Sequence, residues 1–227
     1  MSPSKVRPLV LRITMRPHNS VLSAATRTAG GRAIVYGVYR KDSTVLTLVR
    51  CEPRSLKGYK KFVEVLDASP KVRNLQILQK SKRSCLMVVE KDSCEFYDYT
   101  LGLGRPILFP YVLKKGYRLF TLIVPPDVGL DDVKRNLERY GKIVDLKRIS
   151  ASEAMDWIRN IMIADELRSV LTPAQRRVVE VALKRGYYDW PRRIQLDELS
   201  RILGVSKATV SEHLRKSEYR VLSLLLS

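Results

Sequence analysis

The amino-acid sequence predicts an α+β protein in which an N-terminal α/β domain is followed by a connector helix and an all-α C-terminal domain. Three observations support this prediction. Up to residue 149, short β-branched and aromatic segments alternate with amphipathic helical segments. Residues 150–170 form one long apolar segment with helical spacing, and residues 171–227 contain helical segments only. We therefore expect the regions 1–149, 150–170 and 171–227 to be structurally distinct.

The first part of the N-terminal domain predicts the order β-α-β-β-α-β. Strands are expected where apolar and polar residues alternate or β-branched and aromatic residues dominate, at residues 9–15, 33–39, 44–51 and 72–78. Two amphipathic segments between them predict helices, one capped by Asn19 or Ser20 and one ending at residue 68. Because this order is that of the split unit in ferredoxin-like folds, residues 1–83 are expected to form one such unit.

Residues 84–149 have the features of a second, less regular copy. Strands are expected at residues 85–89, 106–113, 117–124 and 142–149, with a helix at 130–140 that Gly141 ends. The aromatic and glycine-rich sequence FYDYTLGLG after the first of these strands predicts no regular element. We therefore expect two ferredoxin-like units in tandem, and a single α/β domain over 1–149 is the alternative.

The connector predicts a helix from Ser150 or Ser152 to about Ser169. Its apolar residues, among them Trp157 and Ile161, cover more than one stripe of the helix surface. A helix that is apolar beyond one face is expected to be buried on two sides. Two interpretations stay open: packing within one subunit, or a dimerisation helix that makes the protein a homodimer.

The C-terminal domain begins with the clearest helix start in the sequence. The residues TPAQ at 172–175 combine a capping box with proline at the first helical position. The apolar positions that follow stop at Gly186, and a connector containing YYDWPRR leads to the next helical segment.

Two short amphipathic segments separated by a sharp break follow this connector. Apolar residues recur at helical spacing from Leu196 to Leu203, and Gly204 suits the left-handed conformation that ends a helix. Ser206 suits the N-cap of a second helix that includes Val210. This order predicts a helix-turn-helix, which presents its second helix to the DNA major groove. An ordinary helical hairpin is the alternative.

The same span carries a sequence signature, LT..Q..V...A...GYYD.PR followed by L.EL...LGVSK.T.SEHLR..E. Residues 171–226 thereby resemble the DNA-binding domain of the bacterio-opsin-activator type of archaeal transcription regulators. The resemblance implies transcription regulation through double-stranded DNA. Two positions depart from the expected pattern, since Gln195 stands where a Ser or Thr N-cap is usual and Ser200 where alanine is usual.

The side of the second helix opposite Val210 and Leu214 is expected to contact bases. Arginine pairs with guanine, a glutamate accepts from cytosine N4, and alanine or threonine methyl groups meet the thymine methyl. The residues expected to contact bases are Ala208, Thr209, Ser211, Glu212, Arg215, Lys216 and Tyr219. The residues expected to contact phosphates are Ser206, Lys207, Arg176, Arg192 and Arg193. For the three arginines, the alternative is that they are solvated surface residues without a DNA contact.

The formal net charge of +19 predicts a polyanionic partner. The charge is uneven, because residues 1–83 hold 18 Lys and Arg against 4 Asp and Glu, whereas residues 84–170 hold 13 of each. The basic N-terminal half therefore needs its own explanation. We expect this half to be a sensory or dimerisation domain whose basic face binds a small anionic effector or touches DNA beside the main site. An architectural DNA- or RNA-binding protein is the alternative function.

No catalytic, cofactor or metal motif is found in the sequence. It contains two histidines and no nucleophile elbow, phosphate loop or dinucleotide fingerprint, so we expect neither an enzyme nor a cofactor. Its three cysteines match no zinc spacing, and a Cys85–Cys94 bridge is left open. No run is long and apolar enough to span a bilayer and no signal peptide is evident, so a cytoplasmic location is expected.

Overall fold

The computed structural model describes residues 7–53, 55–81 and 84–226, which divide into two compact units at residues 161 and 162. Residue 83, the predicted end of the first tandem copy, and residue 227 lie outside the described residues. The first unit combines strands and helices and the second is helical, so the predicted α+β class is confirmed. The division between the units falls inside one helix, α5 (Ala151–Val170).

The elements of the first unit follow the predicted order. The strands are β1 (Leu9–Pro17), β2 (Arg32–Lys41), β3 (Thr44–Glu52), β4 (Val72–Lys80), β5 (Cys85–Asp92), β6 (Ile107–Lys114), β7 (Tyr117–Val124) and β8 (Gly141–Ile149). The helices between them are α1 (Val21–Ala29), α2 (Leu56–Asp67), α3 (Glu95–Tyr97) and α4 (Leu130–Glu138). The FYDYTLGLG sequence, for which no regular element was predicted, forms most of α3 and a π-helical segment, Asp98–Gly102, directly after it.

The eight strands form one antiparallel sheet in the order β4-β5-β3-β2-β6-β7-β1-β8. β1 lies between β7 and β8, where Ile13 is opposite Phe120 on one side and Leu146 on the other. In the same way, β5 lies between β3 and β4. Each half of the sheet therefore has the ferredoxin-like order, in which the first strand lies between the third and the fourth. The two halves have, however, exchanged their first strands.

This exchange of strands was not predicted, because β1 and β5 have equivalent hydrophobic patterns. Alternate residues are fully buried in both, Leu11 and Ile13 in β1 and Met87 and Val89 in β5. Such alternation fixes which face of a strand is buried and leaves the choice of neighbouring strand open. The strand pairing consequently crosses the division predicted at residues 83 and 84, and that division stays a prediction.

Helices cover the two faces of the sheet unequally. Leu22 of α1, Phe62 of α2 and Leu137 of α4 belong to one large core on one face. The opposite face carries a smaller cluster, in which Ile161 of α5 packs with Ile34 of β2. Because successive residues of a strand point to opposite faces, β2 contributes to both cores.

One side of the connector helix α5 is buried and another side is exposed. Ala154 and Ile161 are buried, whereas the side chains of Met155 and Met162 are 55% and 51% exposed. Met155 and Met162 are thus exposed in this single chain, and burial of α5 on two sides stays a prediction.

All three cysteines are free thiols, so the Cys85–Cys94 bridge that the sequence left open is not formed. Cys85 lies opposite Cys51 in the pairing of β3 with β5. Burial, together with the neighbouring Cys85 thiol, raises the pKa of Cys51 to about 12. Among the described residues, no group of three or more His, Cys, Asp and Glu side chains could hold a metal ion.

Candidate DNA-binding site

In the described part of the second unit, α5 is followed by α6 (Pro173–Lys184), α7 (Leu196–Leu203) and α8 (Lys207–Leu226). The predicted capping box at the start of α6 is present. The Thr172 hydroxyl accepts a hydrogen bond from the Gln175 amide at 3.1 Å, and the Gln175 side chain accepts one from the Thr172 amide at 2.9 Å. The backbone N–H groups of Thr172 and Gln175 therefore both have hydrogen-bond partners, at a helix start that Pro173 also favours.

The break between α7 and α8 has the geometry of the predicted turn. Gly204 adopts the left-handed conformation, with φ 68° and ψ 32°, which glycine reaches at little cost. Ser206 then caps α8, its hydroxyl accepting a hydrogen bond from the Thr209 amide at 3.1 Å. At the start of α7, the Glu198 carboxylate accepts a hydrogen bond from the Gln195 amide at 3.2 Å.

The three helices enclose a small core that fixes the rotation of α8 about its axis. Val210 and Leu214 of α8 are buried with residues of the other two helices, among them Ala182 and Leu199. The opposite side of α8 is consequently turned to solvent. The base-contact candidates Ala208, Ser211, Glu212, Arg215, Lys216 and Tyr219 are exposed, and Thr209 is half-buried. The structure thus brings these residues together on one accessible surface, which we call the α8 face.

Several charged side chains on and beside this surface are already paired with carboxylates. Lys207 lies 2.9 Å from Asp197 of α7, and Lys216 forms an ion pair with Glu212 one turn earlier. The hydrogen bond and positive charge of Lys216 lower the pKa of the Glu212 carboxyl. Arg215 makes no hydrogen bond or ion pair with any residue that the structure describes. Its guanidinium is therefore free for a ligand, whereas the two lysines must exchange one partner for another.

The three arginines predicted as phosphate contacts lie in different environments. Arg192 stacks over the Tyr187 ring, 4.5 Å from its centroid, and the exposed Arg193 lies 2.6 Å from the Asp189 carboxylate. Arg176 is half-buried on α6. Arg192 and Arg193 are thus oriented by side chains of their own connector.

Sequence reasoning missed two aromatic residues of this connector. The Trp190 side chain is 97% exposed, the highest value among the large apolar residues described. The Tyr188 hydroxyl donates a hydrogen bond of 2.7 Å to Glu218 of α8, which ties the connector to that helix. Burial and this carboxylate raise the pKa of Tyr188, so it remains a donor. A tryptophan between turn-forming residues, outside any apolar periodicity, was the signal that could have indicated Trp190.

The last helix, α8, continues to Leu226. The Arg220 guanidinium donates to the Val170 carbonyl at 3.1 Å and to the Gln175 side chain at 2.8 Å. Beyond this anchor, Leu222, Leu225 and Leu226 are exposed. None of the described helices is both long and apolar enough to cross a membrane.

The capped helices, the glycine turn and the exposed α8 face define a helix-turn-helix domain. Residues 171–223 match the family model described as "HTH DNA binding domain". This part of the chain is a helix-turn-helix domain of the bacterio-opsin-activator type, as its signature predicted.

Curated relatives from the archaeon Haloferax volcanii match the chain over part of its length. A protein described as "Putative transcriptional regulator" is 40% identical over 68 residues, covering 28% of this chain and 12% of the relative. "Transcriptional regulator NarO" is 30% identical over 95 residues, 42% of this chain and 44% of the relative. "Dimethyl sulfoxide reductase transcriptional activator" is 30% identical over 92 residues, 40% of this chain and 43% of the relative. The chain thus spans less than half of each of these relatives.

Proposed function

We propose that this protein is a transcription regulator that recognises a specific DNA sequence through the α8 face. The observation that carries the proposal is the rotation of α8, which buries Val210 and Leu214 and presents Glu212 and Arg215 to solvent. The family match of residues 171–223 and the descriptions of the three relatives support it. They do not favour the architectural nucleic-acid-binding alternative. The proposal includes a cytoplasmic location, no catalytic activity and regulation by a small anionic effector.

The side chains of the α8 face have distinct proposed roles. Arg215 would pair with a guanine, Glu212 would accept from a cytosine amino group, and Ala208 or Thr209 would contact a thymine methyl group. The remaining predicted residues of the α8 face, Ser211, Lys216 and Tyr219, would flank these contacts. Phosphates would bind to the residues at the helix start and to the arginines, namely Ser206, Lys207, Arg176, Arg192 and Arg193.

Selection of bound DNA from a random pool tests this proposal directly. The intact protein is expected to enrich one short motif, and Arg215→Ala is expected to relax preference at one position at a cost of roughly 1–3 kcal/mol. Arg185→Ala, which removes an exposed arginine just after α6, serves as the matched control and should leave the motif unchanged. Equal loss of affinity for every sequence in Arg215→Ala would remove this residue from base recognition.

The proposal also includes a homodimer, because a two-fold axis would allow two α8 faces to read a palindromic site. Exposed Met155 and Met162 on α5 supply an apolar stripe for the partner subunit. Light scattering should show a dimer for the intact chain and a monomer for Ile158→Glu combined with Met162→Glu. Leu56→Glu, at an exposed leucine of α2, is the control. An unchanged mass in the double variant would contradict this role of α5.

A further inference from the structure

Among the residues of the first unit that the structure describes, two basic side chains are buried without a carboxylate partner. Lys91 near the end of β5 is 7% exposed, and Arg118 near the start of β7 is 4% exposed. Lysine and arginine are almost never so buried unless they are paired. Neither forms an ion pair with any carboxylate in the part of the chain that the structure describes.

Both residues point to the same side of the sheet. Lys91 follows Val89 by two residues and Arg118 precedes Phe120 by two, and both apolar residues belong to the large core. Side chains two apart in a strand share a face. The two positive charges therefore project into the same core, where water does not screen their repulsion.

The hydrogen-bonding capacity of Arg118 is only partly used. One terminal nitrogen donates to the Ser20 hydroxyl at 3.4 Å, and the buried Nε has no hydrogen-bond partner among the described residues. A guanidinium has five N–H donors arranged to hold an oxyanion through two of them. Arg118 thus retains the donors that such a ligand requires.

Aromatic rings surround these cations. The Tyr97 ring centroid lies 4.7 Å from the Lys91 ammonium and 5.7 Å from the Arg118 guanidinium carbon, which is 4.0 Å from the Phe96 ring centroid. The Tyr97 and Tyr111 hydroxyls are hydrogen-bonded to each other at 2.8 Å. Rings attract cations but neutralise no charge. Burial raises the pKa of both tyrosines, so neither supplies a phenolate counter-ion.

Phe96 and Tyr97 belong to an irregular segment rather than to the sheet. They lie in the three-residue α3, which continues directly into the π-helical segment Asp98–Gly102. Single π-helical turns are frequent at functional sites. Leu103, immediately after this segment, is exposed. The aromatic walls around the two cations are therefore carried by a short segment that lies outside the paired strands.

We propose that Lys91 and Arg118, with the hydroxyls of Tyr97 and Tyr111, bind the oxyanion of a small molecule, a carboxylate or a phosphate group. The segment 95–102 covers this site and opens to admit the ligand. The flat rings of Phe96 and Tyr97 contact the ligand's carbon body. The site itself stands on the geometry of the first unit, and only the ligand's role as effector rests on the proposed function.

Titration calorimetry of the full chain with sodium phosphate, acetate and benzoate, at constant ionic strength against chloride, tests the site. At least one oxyanion is expected to bind, and Arg118→Met and Lys91→Met should each weaken that binding at least about tenfold. Arg105→Met is the matched control, because Arg105 also lies over a tyrosine ring, 4.6 Å from the Tyr99 centroid, but is only half-buried. Stronger binding of phosphate, or of the two carboxylates, shows which of the two groups the site prefers. Stronger binding of benzoate than of acetate supports contact between the ligand's carbon body and the rings.

Absence of binding by all three anions, or binding equal in Arg118→Met and the intact chain, would overturn the proposal. If the methionine variants do not fold, Tyr111→Phe removes a single hydroxyl and should weaken binding severalfold while the far-ultraviolet spectrum stays unchanged. DNA binding is measured separately without added oxyanion. Its failure with anion binding intact contradicts the proposed function alone, and the reverse result contradicts the anion site alone.

Discussion

The two units of this protein hold their positive charge in opposite ways. In the second unit Lys207 and Arg193 are exposed and paired with neighbouring carboxylates. In the first unit Lys91 and Arg118 are buried and have no such partner among the described residues. An exposed ion pair contributes about 0–1 kcal/mol to the free energy of unfolding. A DNA phosphate could therefore replace its carboxylate at little cost in stability. A buried charge costs several kcal/mol, so its retention without a carboxylate points to a different kind of ligand.

The largest expected effect is a loss of stability at a buried position of α8 that its exposed neighbour does not show. Leu214→Ala removes a buried side chain from the core of the second unit and should lower the free energy of unfolding by about 2–5 kcal/mol. Arg215→Ala, at an exposed position, should change it by less than about 0.5 kcal/mol. Urea unfolding followed by circular dichroism measures both. Similar losses in the two variants would show that α8 is not oriented as described.

A second prediction concerns the cost of the buried charge in the first unit. Burial, with a smaller contribution from Arg118, lowers the pKa of Lys91 from 10.5 to about 8. Cys94 and Asp92 act in the opposite direction, and Lys71 adds to the lowering. Below pH 8 the folded state therefore carries a penalty of roughly 3 kcal/mol that the unfolded state avoids. In buffer free of phosphate and carboxylates, Lys91→Met should be more stable than the intact chain at pH 7 by about this amount.

The pH dependence follows from the same difference in proton binding. Between pH 8 and 10.5 the unfolded chain still holds the Lys91 proton and the folded chain has lost it, so stability should rise with pH. The difference between the intact chain and Lys91→Met should shrink across this window, as measured by urea unfolding at successive pH values. A constant difference would mean that the ammonium is not desolvated in the folded state. A bound oxyanion should reduce the difference at pH 7.

The helix-turn-helix was predictable because its determinants are local. Capping hydroxyls, the left-handed glycine and the spacing of Val210 and Leu214 act within a few residues of one another. The order of strands and helices in the first unit was predicted from local sequence patterns of the same kind. The structure has this order, and its α+β class is confirmed. The exchange of β1 and β5 was not predictable, because strand pairing depends on residues more than 100 positions apart, such as Ile13 and Phe120.

The buried cations escaped prediction for a related reason. In the sequence, Lys91 is the polar residue near a strand end, and Arg118 follows a turn, both positions where an exposed charge is usual. In the folded chain the Tyr97 ring lies by Lys91, and the Phe96 ring lies by Arg118, which is 22 residues further along the sequence. The basic excess of residues 1–83 does not include either cation.

The smallest predicted effect on stability concerns Arg193, an exposed and paired cation of the second unit. Arg193→Ala removes a side chain that is 79% exposed and paired with Asp189, so the free energy of unfolding should change by less than about 1 kcal/mol. If Arg193 contacts a phosphate, the variant should bind all DNA sequences more weakly by a similar factor. The slope of log affinity against log salt concentration should also flatten by about one unit. Affinity measured at several salt concentrations, with Arg185→Ala as the control, checks this expectation. A change in base preference at a single position would instead place Arg193 against a base and make the connector part of the reading surface.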